Sequence, residues 1–442
     1  MAKYKRYDRY KESGVNYLGE LPNEWKIKPI KYLINSIQTG TTPTTKNEEY
    51  FDGEIQWFTP GDFVGNGKLI ESSRKISNLA IEDNEAKMFP KNTVAIVGIG
   101  ATVGKVAKMC VEGSFNQQVT GLVADKEKLY SDYLYYWLDT NKEAIKKIAN
   151  YTTLPIINNE FIKNYKCYVP NLNEQQTIAN FLNEKTSEID FLIVYKEKLI
   201  NLLEEKRQSI ITEAVTKELN PNVKMKDSGV EWIGEIPEHW SLSKIKYQAD
   251  INIKTLGEII DENYEIKYID IGSVNSNGEI INIENYIFKN SPSRARRIVS
   301  KGDTIISTVR TYLKAITWFE DVEENVICST GFAVLSPRST IYPKYLFYLM
   351  RSTRYIDEIV RRSTGVSYPA ITSSEIGKID CLLPNMKEQI EIVKYIDDQI
   401  GEISDLVESI TSQIEKLKEY RKSLISEVVT GKIDVKDYYK EN

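Results

Sequence analysis

The first chemistry the sequence could do lies in a glycine-rich run, Val94-Ala-Ile-Val-Gly-Ile-Gly-Ala-Thr-Val-Gly-Lys105. A strand leading into glycines and a lysine is how a phosphate-cradling loop reads. The spacing fails twice. Gly98, Gly100 and Gly104 are one residue too widely spaced for a dinucleotide fingerprint, and Val106 stands where a P-loop needs Ser or Thr after its lysine. A turn that lets backbone approach a partner is the better reading; a cofactor-binding enzyme built on loop 98–105 is the rival. His239 is the one histidine, which argues against a Ser-His-Asp triad and against a histidine metal site. Cys110, Cys167, Cys328 and Cys381 lie far apart without metal-ligand spacing and read as buried thiols in a reducing compartment. Methyltransferase, Walker and helicase motifs are absent from the sequence.

What remains is polar and basic side chains in clusters. Thr44, Thr45, Lys46, Lys68, Arg74, Lys75, Lys105, Asn116, Gln117 and Gln118 fall in the first half, and Arg294, Arg296, Arg297, Arg310, Lys314 and Ser329 in the second. Arg, Asn and Gln can read base edges in pairs, while Lys and Arg hold phosphates, so these are candidate DNA contacts. Taken singly, each is more often a solvated surface residue than a contact. Ser293-Arg-Ala-Arg-Arg297 is the densest cluster. The net charge of −5 does not advertise a nucleic-acid binder. Residues 1–170 nevertheless carry 23 Lys and Arg against 20 Asp and Glu, while residues 385–442 carry 9 against 13. The acid concentrates in the helical segments while the globular parts are near neutral, and a DNA complex would draw part of its phosphate neutralisation from a partner.

The elements that must position these side chains occur twice, and a repeat is the strongest organising signal a chain can carry. Val169–Thr216 and Leu383–Thr430 align without gaps with 17 identities in 48 positions. Both copies open on Pro-Asn-x-x-Glu-Gln, at Pro170 and Pro384, and close on Ile-x-Glu-x-Val-Thr, at Thr216 and Thr430. Between the ends runs a 3–4 spacing: Ile178, Leu182, Lys185, Ile189, Leu192, Lys196, Leu199, Leu203, Lys206, Ile210 in the first copy. In the second it is Ile392, Ile396, Gln399, Ile403, Leu406, Ile410, Gln413, Leu417, Tyr420, Leu424. Heptads this long predict coiled-coil helices, and a narrow apolar stripe needs a partner, for which the other copy is the natural choice. Upstream of each, Ser13-Gly-Val-Asn-Tyr-Leu-Gly-Glu-Leu-Pro-Asn-Glu-Trp25 recurs as Ser228-Gly-Val-Glu-Trp-Ile-Gly-Glu-Ile-Pro-Glu-His-Trp240. A helix is expected over 131–149 with Tyr133, Tyr136 and Trp137 inward. Further matches pair 303–306 with 92–95, 329–332 with 119–122, 342–348 with 130–136 and 367–369 with 153–155. Similarity is weakest at 33–90 and 248–300: one scaffold with two divergent inserts implies one job performed on two targets.

The expected fold is α+β: two pseudo-repeated α/β domains separated by two long helices that form an antiparallel coiled coil. The expected limits are domain 1 over 1–170, helix 1 over 171–220, domain 2 over 221–384, helix 2 over 385–430 and a tail over 431–442. No apolar run has the length of a membrane span, and the N-terminus lacks a signal-peptide core, so a cytoplasmic protein is expected.

The duplicated Gly-Glu-[Leu/Ile]-Pro-x-x-Trp segments and the Pro-Asn-x-x-Glu-Gln coil openings resemble the specificity subunit of type I restriction–modification enzymes. Tyr50–Asp62 and Ser293–Arg310 also look like two recognition-domain types of that family. The resemblance covers essentially the whole chain. It implies two target-recognition domains that each read half of a bipartite double-stranded DNA target. The helices would set the spacing and dock two methyltransferase subunits, which hold S-adenosylmethionine, and restriction/translocase subunits would join. It implies no cofactor and no catalysis in this chain. The family's base-reading residues form no fixed motif, so the residues above rest on side-chain chemistry alone. A coiled-coil adaptor without nucleic-acid recognition is the other alternative.

Overall fold

The computed structural model describes residues 5–15, 18–149, 156–217, 219–257 and 261–438. The chain forms two compact units: Met1–Lys196 with Ser412–Asn442, and Glu197–Thr411.

In the first unit a five-stranded sheet runs in the order Ile34–Thr39, Val119–Ala124, Val94–Val97, Val106–Met109, Lys68–Leu69. The strand Val94–Val97 is buried on both faces, and its alternate residues enter different cores. Val94 and Ile96 join Tyr133, Leu134 and Trp137 of the helix Ser131–Ala149. Ala95 and Val97 face the other way, onto Phe58, Phe63, Phe89 and Phe115. Side chains alternate along a strand, so one sheet face is committed to the repeated scaffold and the other to the divergent insert. A small sheet of Ser114–Phe115, Ile55–Phe58 and Lys75–Ile76 carries that insert.

The second unit repeats the plan with four strands, Ala249–Ile251, Phe332–Pro337, Thr304–Ser307 and Ile316–Trp318. Ile306, Ala333 and Leu335 meet the helix Pro343–Arg351, whereas Ile305, Phe332 and Val334 face an insert core with Ile269 and Cys328. The insert is a separate four-stranded sheet of Glu284–Ile287, Glu265–Ile269, Val326–Ser329 and Ala295–Ile298.

Hydrogen bonds fix the correspondence between the units and correct the sequence alignment. Gly98 N donates to Gln118 O, and Thr308 N to Gly331 O. Thr304 therefore matches Val94, not Thr93; a one-residue slip would turn every side chain of the strand to the wrong face. Gly331 matches Gln118, so Ser329 matches Asn116 rather than Val119. The 153–155 side of the proposed 367–369 match lies outside the described residues. The 342–348 match to 130–136 stands: Tyr342 N and Tyr130 N donate to Gln389 and Gln175, and the Tyr345 and Tyr133 hydroxyls to carbonyls of the following strands.

The long helices span Leu172–Lys217 and Met386–Val429. Neither is interrupted by proline, and Gly401 is accommodated within the second. In the first unit Arg421 pairs with Asp190 at 2.8 Å and Lys196 donates to Gln413 at 2.6 Å, so residue numbers run in opposite directions across an antiparallel seam. In the second unit Arg207 donates to Ser404 Oγ at 2.7 Å. The heptad was read with the wrong phase at alternate positions. Along its middle the second helix turns Ile396, Ile400, Ile403, Val407, Ile410, Ile414, Leu417, Arg421 and Leu424 inward. Leu406, assigned to the seam, is 52% exposed, and Leu192 of the first helix is 43% exposed, while the neighbours Val407 and Ile193 turn inward.

Candidate nucleic-acid interface

Each Pro-Asn-x-x-Glu-Gln segment starts its long helix with the same bonds. Asn171 and Asn385 are N-caps, accepting from Glu174 N at 3.0 Å and Glu388 N at 3.1 Å. Gln175 Nε2 donates to Pro170 O and Lys128 O, and Gln389 Nε2 to Pro384 O and Thr340 O. The glutamates accept the indole N–H of the tryptophan that closes each upstream repeat, Trp25 to Glu174 at 2.9 Å and Trp240 to Glu388 at 2.7 Å. Motifs far apart in sequence are thus two halves of one joint.

The surroundings of the two joints differ. Tyr7 donates to Glu174 at 2.8 Å, Lys436 pairs with Glu24 and Glu174, and Asp434 N donates to Lys5 O at 2.9 Å. Burial and the Glu174 charge hold the Tyr7 hydroxyl well above its ordinary pKa. At the other joint His239 approaches Glu388 at 3.2 Å.

Loops at one end of each central sheet bring together part of the candidate set. In the first unit Gly98–Lys105 closes a hairpin between antiparallel strands, and no helix follows it. A loop without a helix N-terminus lacks the dipole and free N–H groups that hold phosphate in a nucleotide site. Beside it Gln118 Nε2 reaches Ile99 O, Gln117 bonds Thr42, and Thr44 N donates to Glu85. Gln117, Gln118, Thr39, Asn158 and Asn159 line a cleft of about 440 Å³ together with Ile99, Ile156 and Ile157. Lys105 donates to Phe63 O and lines a separate cleft of about 410 Å³ against the insert turn Phe63–Gly67. Thr45, Lys46 and Arg74 are exposed, Lys68 lies exposed on the edge strand, and Lys75 pairs with Glu54 at 2.7 Å.

In the second unit Arg294 is exposed, Arg296 stacks over Phe288 at 4.9 Å, and Arg297 reaches Thr255 at 3.4 Å. Arg310 and Lys314 bracket the loop equivalent to Gly98–Lys105. Two candidates are enclosed. Ser329 is fully buried and its Oγ accepts from Gly331 N; its equivalent Asn116 is buried and its Oδ1 accepts from Gln118 N. Both shape the same turn from within, so neither presents a side chain to a surface partner.

Sequence reading missed Arg351. Its side chain is buried at the end of Pro343–Arg351 and donates to Ser276 O at 3.2 Å and to Asn277 O. Gly278, at φ +80°, lies so close that a Cβ would meet the guanidinium. Burial pushes the Arg351 pKa down to about 10. Tyr135 does the equivalent work in the first unit, donating to Asn66 O at 3.0 Å. One helix of each scaffold thus grips a turn of its own insert, with different chemistry. No motif or spacing in the sequence singles out Arg351.

Comparison with known proteins places these observations. The model of the type I restriction modification DNA specificity domain matches residues 22–203 and again 237–416. The MjaIX specificity subunit of Methanocaldococcus jannaschii is 24% identical over 99% of both chains. The EcoDI specificity subunit of Escherichia coli is 21% identical over 94% of this chain and 90% of its own. Among solved structures, a chain from work on complex assembly and conformational transition of the type I R-M system superposes with a TM-score of 0.69 at 15% identity, covering 93% of this chain and 99% of that one. The HsdS subunit of Thermoanaerobacter tengcongensis gives 0.52 at 15% identity, covering 93% and 98%.

Proposed function

Since this chain belongs to the family of type I restriction–modification DNA specificity subunits, we propose that it chooses the DNA sequence on which such a complex acts. The observation that carries this reading is a scaffold present twice, each copy holding a different insert on the far face of its sheet. Each unit reads one half of a bipartite target, and the long helices set the number of base pairs between the halves.

The chain itself catalyses nothing. Two methyltransferase subunits supply S-adenosylmethionine chemistry, and restriction/translocase subunits complete the assembly. Exposed apolar side chains on the helices fit such docking: Phe191 (70% exposed), Val194 and Tyr195 in the first unit, Leu202 and Leu406 in the second. Side chains like these outside the coil seam are what a protein interface would cover. No helix among the described residues is long and apolar enough to cross a membrane.

The test is to map methylated adenines after reconstitution with the methyltransferase subunit. A two-part motif with a fixed gap is expected, and the chain alone should neither methylate nor cut. Replacing Arg294, Arg296 and Arg297 together with Ala should weaken recognition of one half only. Methylation without sequence preference would overturn the reading.

A further inference from the structure

The loop around Arg310 is held by a hairpin that projects from the second unit. Thr364 and Ala370 exchange both backbone hydrogen bonds at 2.9 Å, with Gly365 at φ +106° at the turn. Arg310 N donates to Pro369 O, Ile371 N donates to Thr308 O, and Thr311 Oγ1 lies 2.9 Å from Ser363 Oγ. The hairpin tip is apolar and unprotected: Val366 is fully exposed and Tyr368 is 65% exposed. The Arg310 guanidinium sits over the Tyr368 ring at 4.9 Å. Arg310 and Lys314 both adopt left-handed backbone, at φ 51° and 57°, a conformation that non-glycine residues keep only when their surroundings impose it.

Segments 308–316 and 359–373 contain Arg310, Lys314, Arg361 and Arg362 and no acidic residue. Arg361 and Arg362 both pair with the buried Glu358, and the Arg361 side chain remains mostly exposed. An exposed valine and tyrosine amid a local surplus of cations suit a polyanion with apolar faces between its charges, which describes DNA. A guanidinium held over an aromatic face is oriented by it, and its planar fork of donors suits paired hydrogen bonds to a base edge. Guanine, with two acceptors on its major-groove edge, is the base that such a fork fits.

We propose that Arg310, oriented by Tyr368, reads a guanine in the half-target of the second unit, with Val366 in apolar contact with the neighbouring base. This rests on the reading of the chain as a DNA specificity subunit. The test uses the complex with the methyltransferase subunit on a library of randomised targets, comparing wild type with Arg310→Ala, Arg310→Lys, Tyr368→Phe and Tyr368→Ala. Arg310→Ala should relax one base position of one half by roughly tenfold to a hundredfold, as expected of a paired base contact. Arg310→Lys should fail to restore it, Tyr368→Phe should keep it and Tyr368→Ala should lose part of it, all with unchanged melting profiles. The Arg310→Lys and Tyr368→Phe pair keeps the test valid if truncation disturbs the loop. A loss that is uniform over all sequences would mean a phosphate contact and overturn the proposal. So would unaltered preference at every position, or loss of methyltransferase binding with DNA preference intact. A wild-type complex with no sequence preference would instead overturn the underlying reading.

Discussion

The indole nitrogen of Trp25 donates to Oε1 of Glu174 across 149 positions of sequence, and that of Trp240 to Oε1 of Glu388 across 148. Each bond ties the strand segment that opens a unit to the first turn of a long helix. Because the acceptor lies in the first turn of that helix and is bonded to its asparagine cap, the joint couples unit folding to helix formation. Trp25→Phe keeps an aromatic ring but removes the pyrrole and its N–H donor. It should cost about 1–3 kcal/mol, the range for removing a partner from a buried polar group. Trp25→Phe and Glu174→Gln combined should cost less than their sum, by chemical denaturation. Strict additivity would mean that the bond carries no coupling.

Arg351 is a positioning residue for the insert of the second unit, through Ser276 and Asn277. Arg351→Met retains bulk and removes both donors. The prediction is loss of discrimination in one half of the target, with the other half read normally and the methyltransferase still bound. Target profiling of the reconstituted complex measures this. A Tyr135→Phe variant should affect the opposite half, since its hydroxyl holds Asn66. Equal damage to both halves from either variant would point to general loss of structure.

The seam phase is open to a direct comparison. Val407 turns inward and Leu406 outward on the same turn. Val407→Asp places a charge in the seam and should destabilise by several kcal/mol, about the cost of an unpaired buried charge. Leu406→Asp should leave the melting profile within about 0.5 kcal/mol, the usual range for surface positions, while weakening methyltransferase capture. If the two variants melted alike, the phase assigned to this helix would be wrong.

The parts legible in sequence were those where identical residues make identical bonds. Pro-Asn-x-x-Glu-Gln and the tryptophan repeats each recur because the joint demands a cap, an acceptor and an indole. The helices were legible from their period, yet an apolar residue at both 406 and 407 satisfied a 3–4 spacing in either phase. The strand matches slipped for a related reason. Thr-Gly occurs at 120–121 and at 330–331, and the shared letters outweighed a correspondence that only the Gly98 and Thr308 hydrogen bonds fix. The candidate contacts were the least legible. Exposure at Arg310 depends on a hairpin more than fifty residues downstream, where the sequence offered only the match of 367–369 with 153–155.

The last prediction concerns the gap between the two half-targets. The seam is antiparallel, so lengthening one helix alone would misalign it, and a four-residue insertion would also rotate its apolar face. Seven residues restore the heptad phase. One heptad inserted between Leu199 and Ile200, with another between Thr411 and Ser412, keeps both the phase and the balance of the two helices. At 1.5 Å per residue each insertion adds about 10 Å. That corresponds to roughly three base-pair steps of 3.4 Å. Methylation mapping of the doubly extended variant should return the same two half-sequences with a gap about three base pairs longer. The single insertion in either helix should lower stability without defining a new gap. An unchanged gap in an active, doubly extended variant would show that the helices do not set the distance.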